Sequence, residues 1–206
     1  MEKRQLGSVA ASIASDTAVM PAEATQNRIL DAADVLIVQR GVHGVTIAEL
    51  ARRGGVSRPT VYRSWHDADD VVRAALLRRV TGILEHFPTP AASRAALVDD
   101  MMRFSTLFRE DAVYAQLLAE EPETFMRYTL QRVGSSQRLI LQWLATAIAQ
   151  AQADGSVRPG SPSDIAVMLL LIAQSALLSH GTVSDIITED AWERELRAAL
   201  DGHLRP

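Results

Sequence analysis

The sequence predicts an all-α protein of about nine helices, divided between a small N-terminal domain and a larger C-terminal one. Apolar residues recur at helical spacing along most of the 206 residues, and no segment alternates between apolar and polar residues as a half-buried strand does. Capping residues, glycines and prolines separate the periodic segments. Because 48% of the residues are hydrophobic, a chain of this length can bury a substantial core.

The first predicted helix follows a tail. Residues 1–22 are rich in Ala, Ser and Thr and show no sustained period, so we predict a flexible N-terminal tail. From about Thr25 to Arg40, apolar residues recur on one helical face. Gly41 stands just past the end, where a glycine commonly caps a helix.

Two short helices follow, joined by a glycine-containing turn. Thr46 and Glu49 have the spacing of a capping box at the start of a helix that extends to about Arg53. Glycines at 54 and 55 then permit a sharp turn. Ser57 can cap a third helix, which tolerates Pro59 in its first turn and ends near residue 65. This succession is typical of a tri-helical helix-turn-helix unit, which we place at residues 23–68.

The rest of the chain, residues 69–206, is predicted to form a second helical domain. Asp67 caps the helix that leads into it, and further helical segments cover about 90–109, 111–119, 122–154, 163–180 and 189–203. We expect the long segment 122–154 to bend near Gly134. The segment 163–180 is apolar nearly all round, so it requires a partner surface on more than one side.

Composition excludes several functional classes. The sequence contains no cysteine, so disulfide scaffolds, cysteine-ligated metals and thiol nucleophiles are excluded. Its five histidines are dispersed, and we predict no metal and no cofactor. The longest apolar run, Ile165–Ala173, spans nine residues, whereas a membrane helix needs about 20. We therefore predict a cytoplasmic protein without a membrane span.

Charge is distributed unevenly along the chain. The formal net charge is −4, yet residues 52–66 contain four arginines and no acidic residue. This segment carries +4 and the remainder −8, which places one small basic face on an acidic protein. The arginines could instead form a solvated face. For Arg58 and Thr60 we favour DNA contacts, since arginine pairs with guanine and hydroxyls reach phosphates or bases; for Trp65 we favour a core position.

The chain resembles the TetR family of bacterial transcriptional regulators in residues 46–65, which read Thr-Ile-Ala-Glu-Leu-Ala-Arg-Arg-Gly-Gly-Val-Ser-Arg-Pro-Thr-Val-Tyr-Arg-Ser-Trp. The resemblance is close over about residues 25–77 and looser beyond, including the turn at residues 155–159. It departs at Ala68, where many members have a lysine that contacts the DNA backbone. We predict DNA contacts from Thr46, Arg52, Ser57, Arg58, Pro59, Thr60, Tyr62 and Arg63.

The resemblance also implies an assembly and a mechanism. A dimer with two recognition helices would bind a near-palindromic operator and repress transcription. A small molecule bound in the second domain would release the dimer from the DNA. Activation of transcription is the alternative to repression. Methionine and aromatic residues on the central helices could line an apolar or aromatic pocket, or simply form core: Met101, Phe104, Phe108, Phe125, Met126, Tyr128 and Trp143. The dimer interface is predicted at Met168, Ile172, Leu177, Trp192, Leu196 and Leu200.

Two other classes remain as alternatives. An all-helical enzyme is disfavoured because the sequence has no phosphate-binding glycine loop, nucleophile elbow or paired-histidine metal motif. An architectural DNA-binding protein without a ligand would not need the large second domain. We therefore predict a DNA-binding regulator rather than an enzyme.

Overall fold

A computed structural model describes residues 5–130 and 133–206, with side chains for residues 22–129 and 133–206. In these ranges the chain forms ten α-helices, a short 3-10 helix at Val42–Gly44, and no strand, which confirms the predicted all-α class. The helices are α1 (Gln5–Arg40), α2 (Ile47–Gly54), α3 (Arg58–Tyr62), α4 (Ala68–Leu84), α5 (Arg94–Glu110), α6 (Ala112–Glu120), α7 (Pro122–Leu130), α8 (Ser135–Ala153), α9 (Pro162–Val183) and α10 (Glu189–Leu204).

The chain divides into two compact units, Met1–Ala75 and Leu76–Pro206. In the first unit, α1 packs against α2, and α2 packs against α3. The core between them consists of side chains that are almost completely buried: Ile29, Leu36, Ile37, Leu50 and Val61. Because α3 has only five residues, this core rather than intrinsic helix stability must hold it in place.

Local capping explains where the short helices begin and end. The Thr46 hydroxyl accepts a hydrogen bond from the Glu49 amide at 3.2 Å, and the Ser57 hydroxyl accepts one from the Thr60 amide at 3.3 Å. Gly55 ends α2 in the left-handed conformation, with φ of 63°. Thr46, Ser57 and Gly55 therefore have the roles that the sequence predicts.

The second unit is a bundle in which α9 packs against α8, and α10 packs against both α5 and α9. The turn after α8 is fastened to the end of α10. Arg158 donates from its amide to the Leu204 carbonyl and from Nε to the His203 carbonyl, each at 2.9 Å. The turn at residues 155–159, which resembles the corresponding TetR-family turn, thus joins the last two helices to α8.

The structure differs from the sequence prediction at two places. Residues 5–22 belong to α1, where the sequence suggests a flexible tail; their alanine-rich composition favours a helix. The predicted helix over 122–154 is two helices, because Gly134 is extended and its amide donates to Gln137 Oε1 at 3.0 Å, which caps α8. The sequence leaves open a DNA-backbone contact from Lys3 or Arg4, with a solvated tail favoured, and both residues lie outside the described ones.

Helix α9 combines a buried face with an exposed apolar face. Ile165, Leu169 and Leu177 are buried, whereas Met168 and Leu171 are 46% and 48% exposed. By length and composition alone α9 could cross a membrane, with a mean hydropathy of 1.7 over 18 residues, of which 22% are buried. The criterion of an uninterrupted apolar run does not detect this, because Gln174 and Ser175 interrupt the apolar sequence.

Candidate nucleic-acid interface

The helix-turn-helix unit consists of α2, the turn at residues 55–57, and α3. The turn is closed by a hydrogen bond from the Val56 amide to the Ala51 carbonyl at 3.0 Å. Leu50 and Val61 anchor the two helices in the core, each with no exposed surface. This anchoring turns the opposite side of α3 toward solvent, where a helix can enter a DNA groove.

The outer face of α3 presents cations and hydroxyl groups. Arg58, Tyr62 and Arg63 are exposed, and Tyr62 retains 57% of its surface. Among the described residues, the side chains of Arg58 and Arg63 form no hydrogen bond or ion pair. Exposed cations without an internal partner are available to phosphates and guanine edges.

Ser57 and Thr60 form a hydroxyl pair at the start of α3. Their oxygens are 2.8 Å apart, and the Ser57 hydroxyl also accepts from the Thr60 amide. The pair holds both hydroxyl groups together at the start of α3. Pro59 occupies an exposed position in the same turn, where its missing N–H costs no intrahelical hydrogen bond.

The other two arginines of the basic segment have internal partners that the sequence analysis missed. Arg52 contacts the Glu49 carboxylate at 2.6 Å, and Arg53 donates to Gln39 Oε1 at 2.9 Å. Arg40 also lies 3.6 Å from Glu49. Glu49 therefore pairs with arginines, whereas the capping-box pattern predicts a hydrogen bond from its carboxylate to a backbone amide at the start of α2. The spacing of three residues on one helix is the sequence signal for the pair with Arg52.

Thr46 is the remaining predicted DNA contact, and it caps the start of α2. Thr46 is exposed. Its hydroxyl oxygen accepts the capping hydrogen bond, so the hydroxyl hydrogen does not take part in that bond. Gln26 of α1 donates to the Ser64 hydroxyl at 3.2 Å and so ties the segment after α3 to α1. Trp65 is half-buried.

A cluster of possible metal ligands lies at the start of α4, next to Ala68. His66, Asp67 and Asp70 bring ligand atoms within 4.8 Å of one another. Arg73 pairs with both carboxylates, at 3.8 Å to Asp67 and 2.6 Å to Asp70. The hydrogen bond from Arg73 lowers the pKa of Asp70. This guanidinium already supplies the positive charge that a cation would bring.

Four of the seven residues predicted to line a pocket form a cluster of packed aromatic rings in the second unit: Phe104, Phe108, Phe125 and Trp143. Phe104 stacks on Trp143 at 5.7 Å between ring centroids, and Phe108 lies 6.3 Å from Phe125. Tyr114, which was not among the predicted residues, stacks on Phe108 with 3.9 Å between the ring centroids. Of the other predicted residues, Met101 is buried, Tyr128 is half-buried and Met126 is 40% exposed.

The predicted dimer residues divide into exposed and buried groups. Met168 is exposed and Ile172 is half-buried, whereas the other four are buried within the chain: Leu177, Trp192, Leu196 and Leu200. Val167 and Leu171, which were not predicted, are 43% and 48% exposed. An open groove beside them is lined by Leu141, Ala145 and Ala149 of α8 and Ser163 and Val167 of α9.

A glycine turn between two short helices, with an exposed basic face on the second, defines the class of helix-turn-helix DNA-binding proteins. The family model for bacterial regulatory proteins of the tetR family matches residues 29–75. An HTH-type transcriptional regulator of Mycobacterium tuberculosis is 38% identical over 180 residues, which cover 87% of this chain and 94% of that protein. The chain therefore belongs to the TetR family of transcriptional regulators and is a DNA-binding regulator rather than an enzyme.

More distant relatives and solved structures also match the chain. UidR of Escherichia coli is 22% identical over 89% of this chain and 94% of its own. Among solved structures, GusR of Salmonella enterica has a TM-score of 0.58 at 22% identity, covering 87% of this chain and 95% of its own. FadR of Bacillus subtilis, solved in complex with stearoyl-CoA, has a TM-score of 0.62 at 15% identity, and the match covers 86% of this chain and 98% of FadR.

Proposed function

We propose that the protein is a homodimeric repressor that reads a near-palindromic operator with α3 and is released by a small apolar or aromatic effector. The observation that carries the DNA-reading part is the outer face of α3. Arg58 and Arg63 are exposed there without a partner among the described residues, next to the prearranged hydroxyls of Ser57 and Thr60. Bidentate arginine contacts to guanine contribute about 1–3 kcal/mol of discrimination each.

A five-residue reading helix can contact only a few base pairs, so one copy provides little specificity. Two copies related by a twofold axis place two such helices in major grooves about 34 Å apart. The operator would then mirror the protein symmetry as a near-palindrome. We expect the protein to act in the cytoplasm, where its DNA target is.

The surface of α8 and α9 supports a second copy as the dimer partner. Val167, Met168 and Leu171 project from α9 beside the groove whose small residues, Ala145 and Ala149, leave room for incoming side chains. Exposed apolar side chains on one helix face gain free energy when a matching surface removes them from water. This explanation accounts for the apolar length of α9 without a membrane.

The aromatic cluster supports the effector part of the proposal. Phe104, Phe108, Phe125 and Trp143 provide flat apolar surfaces that suit an apolar or aromatic molecule. The rings pack on one another, so an effector must separate them on binding. By linkage, it releases DNA if it binds the conformation with low DNA affinity more tightly. FadR, the fold neighbour solved with stearoyl-CoA, is consistent with an effector that has an apolar part, since the acyl chain of that molecule is apolar.

Selection of bound sequences from a pool of random duplexes tests this function. The wild type is expected to enrich a near-palindromic site over successive rounds, and an Arg58→Ala/Thr60→Ala variant is expected to lose it. An Arg194→Ala variant, altered at an exposed position in the second unit, serves as the control and should recover the same site. Enrichment of no sequence by the wild type contradicts specific reading and supports an architectural DNA-binding role.

The selected duplex then permits a test of effector release. We expect a compound from a library of small apolar and aromatic molecules to dissociate the complex and to quench the fluorescence of Trp143 in a Trp65→Phe/Trp192→Phe background. A compound that dissociates the complex without changing this fluorescence contradicts the aromatic cluster as the effector site.

A further inference from the structure

Glu49 occupies the centre of an ionic cluster on the helix-turn-helix unit. Its carboxylate contacts Arg52 through two atom pairs, Oε2 to Nη2 at 2.6 Å and Oε1 to Nε at 3.4 Å. The same Oε2 lies 3.6 Å from Nη1 of Arg40. One carboxylate thus faces two guanidinium groups, one from α1 and one from α2.

The exposure of the three side chains differs. The Glu49 side chain retains 28% of its surface, whereas Arg40 and Arg52 retain 53% and 63%. The hydrogen bond from Arg52 lowers the pKa of Glu49, so the carboxylate is charged at neutral pH. Ion pairs this exposed are weak, and a phosphate can replace a carboxylate because both accept two parallel hydrogen bonds from a guanidinium.

We propose that Glu49 is a built-in competitor of DNA phosphates, which occupies Arg52 in the free protein and lowers the affinity for DNA of arbitrary sequence. The inference rests on the proposed function, since it takes the face that carries α3 as the DNA-binding face. Phosphate contacts supply the sequence-independent part of binding. Weakening this part leaves the protein more dependent on the base contacts that we assign to Arg58 and Arg63.

The charge of the basic segment fits this assignment. The sequence gives residues 52–66 four arginines, but Glu49 neutralises Arg52 in the folded protein. Arg53 pairs with the uncharged Gln39 and retains its full charge. The folded segment therefore presents less positive charge to DNA than its four arginines would suggest, because the Glu49 carboxylate pairs with one of them.

The test measures binding to a fluorescein-labelled duplex of about 30 base pairs and arbitrary sequence, by anisotropy at several salt concentrations. We expect Glu49→Gln to bind about 3- to 10-fold tighter near 0.1 M salt, and its plot of log K against log salt to steepen by about 0.9. Arg52→Gln should cost less affinity in the wild-type background, where Glu49 already pairs with Arg52, than in the Glu49→Gln background. In the Glu49→Gln background, the same substitution should remove most of the gained affinity.

Glu195→Gln is the matched control, because it changes the net charge equally at an exposed position paired with Arg194. Thermal melting of every variant verifies folding. The inference is overturned if Glu49→Gln binds like Glu195→Gln, or if Arg52→Gln costs the same affinity in both backgrounds. Arg58→Ala on the selected duplex tests the proposed function separately, so an effect there with none at Glu49 refutes this inference alone.

Discussion

The hydroxyl of Tyr114 donates a hydrogen bond to the backbone carbonyl of Leu76 at 2.8 Å, which links α6 to α4. Tyr114 is 2% exposed, so this hydroxyl is shielded from water. Its ring also stacks on Phe108 at 3.9 Å between centroids. One side chain thus joins the aromatic cluster to α4.

Tyr114→Phe tests the contribution of this hydrogen bond to stability. The substitution keeps the ring and removes the donor, so we expect the free energy of unfolding to fall by about 1 kcal/mol. Chemical denaturation of both proteins measures the difference. An unchanged denaturation midpoint would indicate that the hydroxyl contributes nothing to the link between α6 and α4.

Two glycine substitutions should have opposite effects on stability. Gly55 has φ of 63°, so Gly55→Ala should destabilise the protein by about 1 kcal/mol although its Cβ meets nothing within 4 Å. Gly82 lies inside α4 with similar open space, so Gly82→Ala should stabilise the protein by about 0.5–1 kcal/mol. Melting temperatures provide the comparison, and shifts in the same direction for both variants would contradict this account of the turn.

His203 should make stability depend on pH below neutrality. Burial, with a smaller effect of the nearby Arg158 guanidinium, lowers the pKa of His203 in the folded protein. The unfolded chain then binds a proton more readily, and stability decreases as the pH falls through about 6.5. We expect the melting temperature of His203→Gln to decrease less than that of the wild type between pH 7.5 and 5.5. Equal decreases would show that His203 does not contribute.

The exposed face of α9 should control the oligomeric state. Met168→Glu/Leu171→Glu places two charges in the proposed interface, where burial without a partner is costly. We expect light scattering after size exclusion to give twice the chain mass for the wild type and the chain mass for this variant. Ile186→Glu, at an 84% exposed position outside this face, is the control and should remain dimeric. A monomeric wild type would contradict the proposal.

The features that depend on neighbouring residues in the sequence were predictable. Thr46 and Ser57 cap helices, and Gly55 forms the turn, because each acts on backbone atoms within a few residues. The resemblance extended this local information to the family and its fold. Both the class of protein and the position of the short helix α3 could therefore be predicted from the sequence.

Features that depend on the three-dimensional arrangement could not be predicted in the same way. The apolar stripe of Trp192 and Leu200 indicates a buried face but not its partner, which proves to be the chain itself. The contact between Tyr114 and Leu76 joins residues 38 positions apart, and no periodicity predicts it. Likewise, the contact of Arg40 with Glu49 depends on how α1 packs against α2.

In the function that we propose, α3 reads base sequence through Arg58. The most direct measurement is the ratio of dissociation constants for a scrambled duplex and for the selected duplex, at one salt concentration. We expect the ratio to be at least about 10³ for the wild type and about 10- to 100-fold lower for Arg58→Ala. Arg194→Ala should retain the wild-type ratio. A wild-type ratio near one, or an unchanged ratio in Arg58→Ala, would contradict the claim.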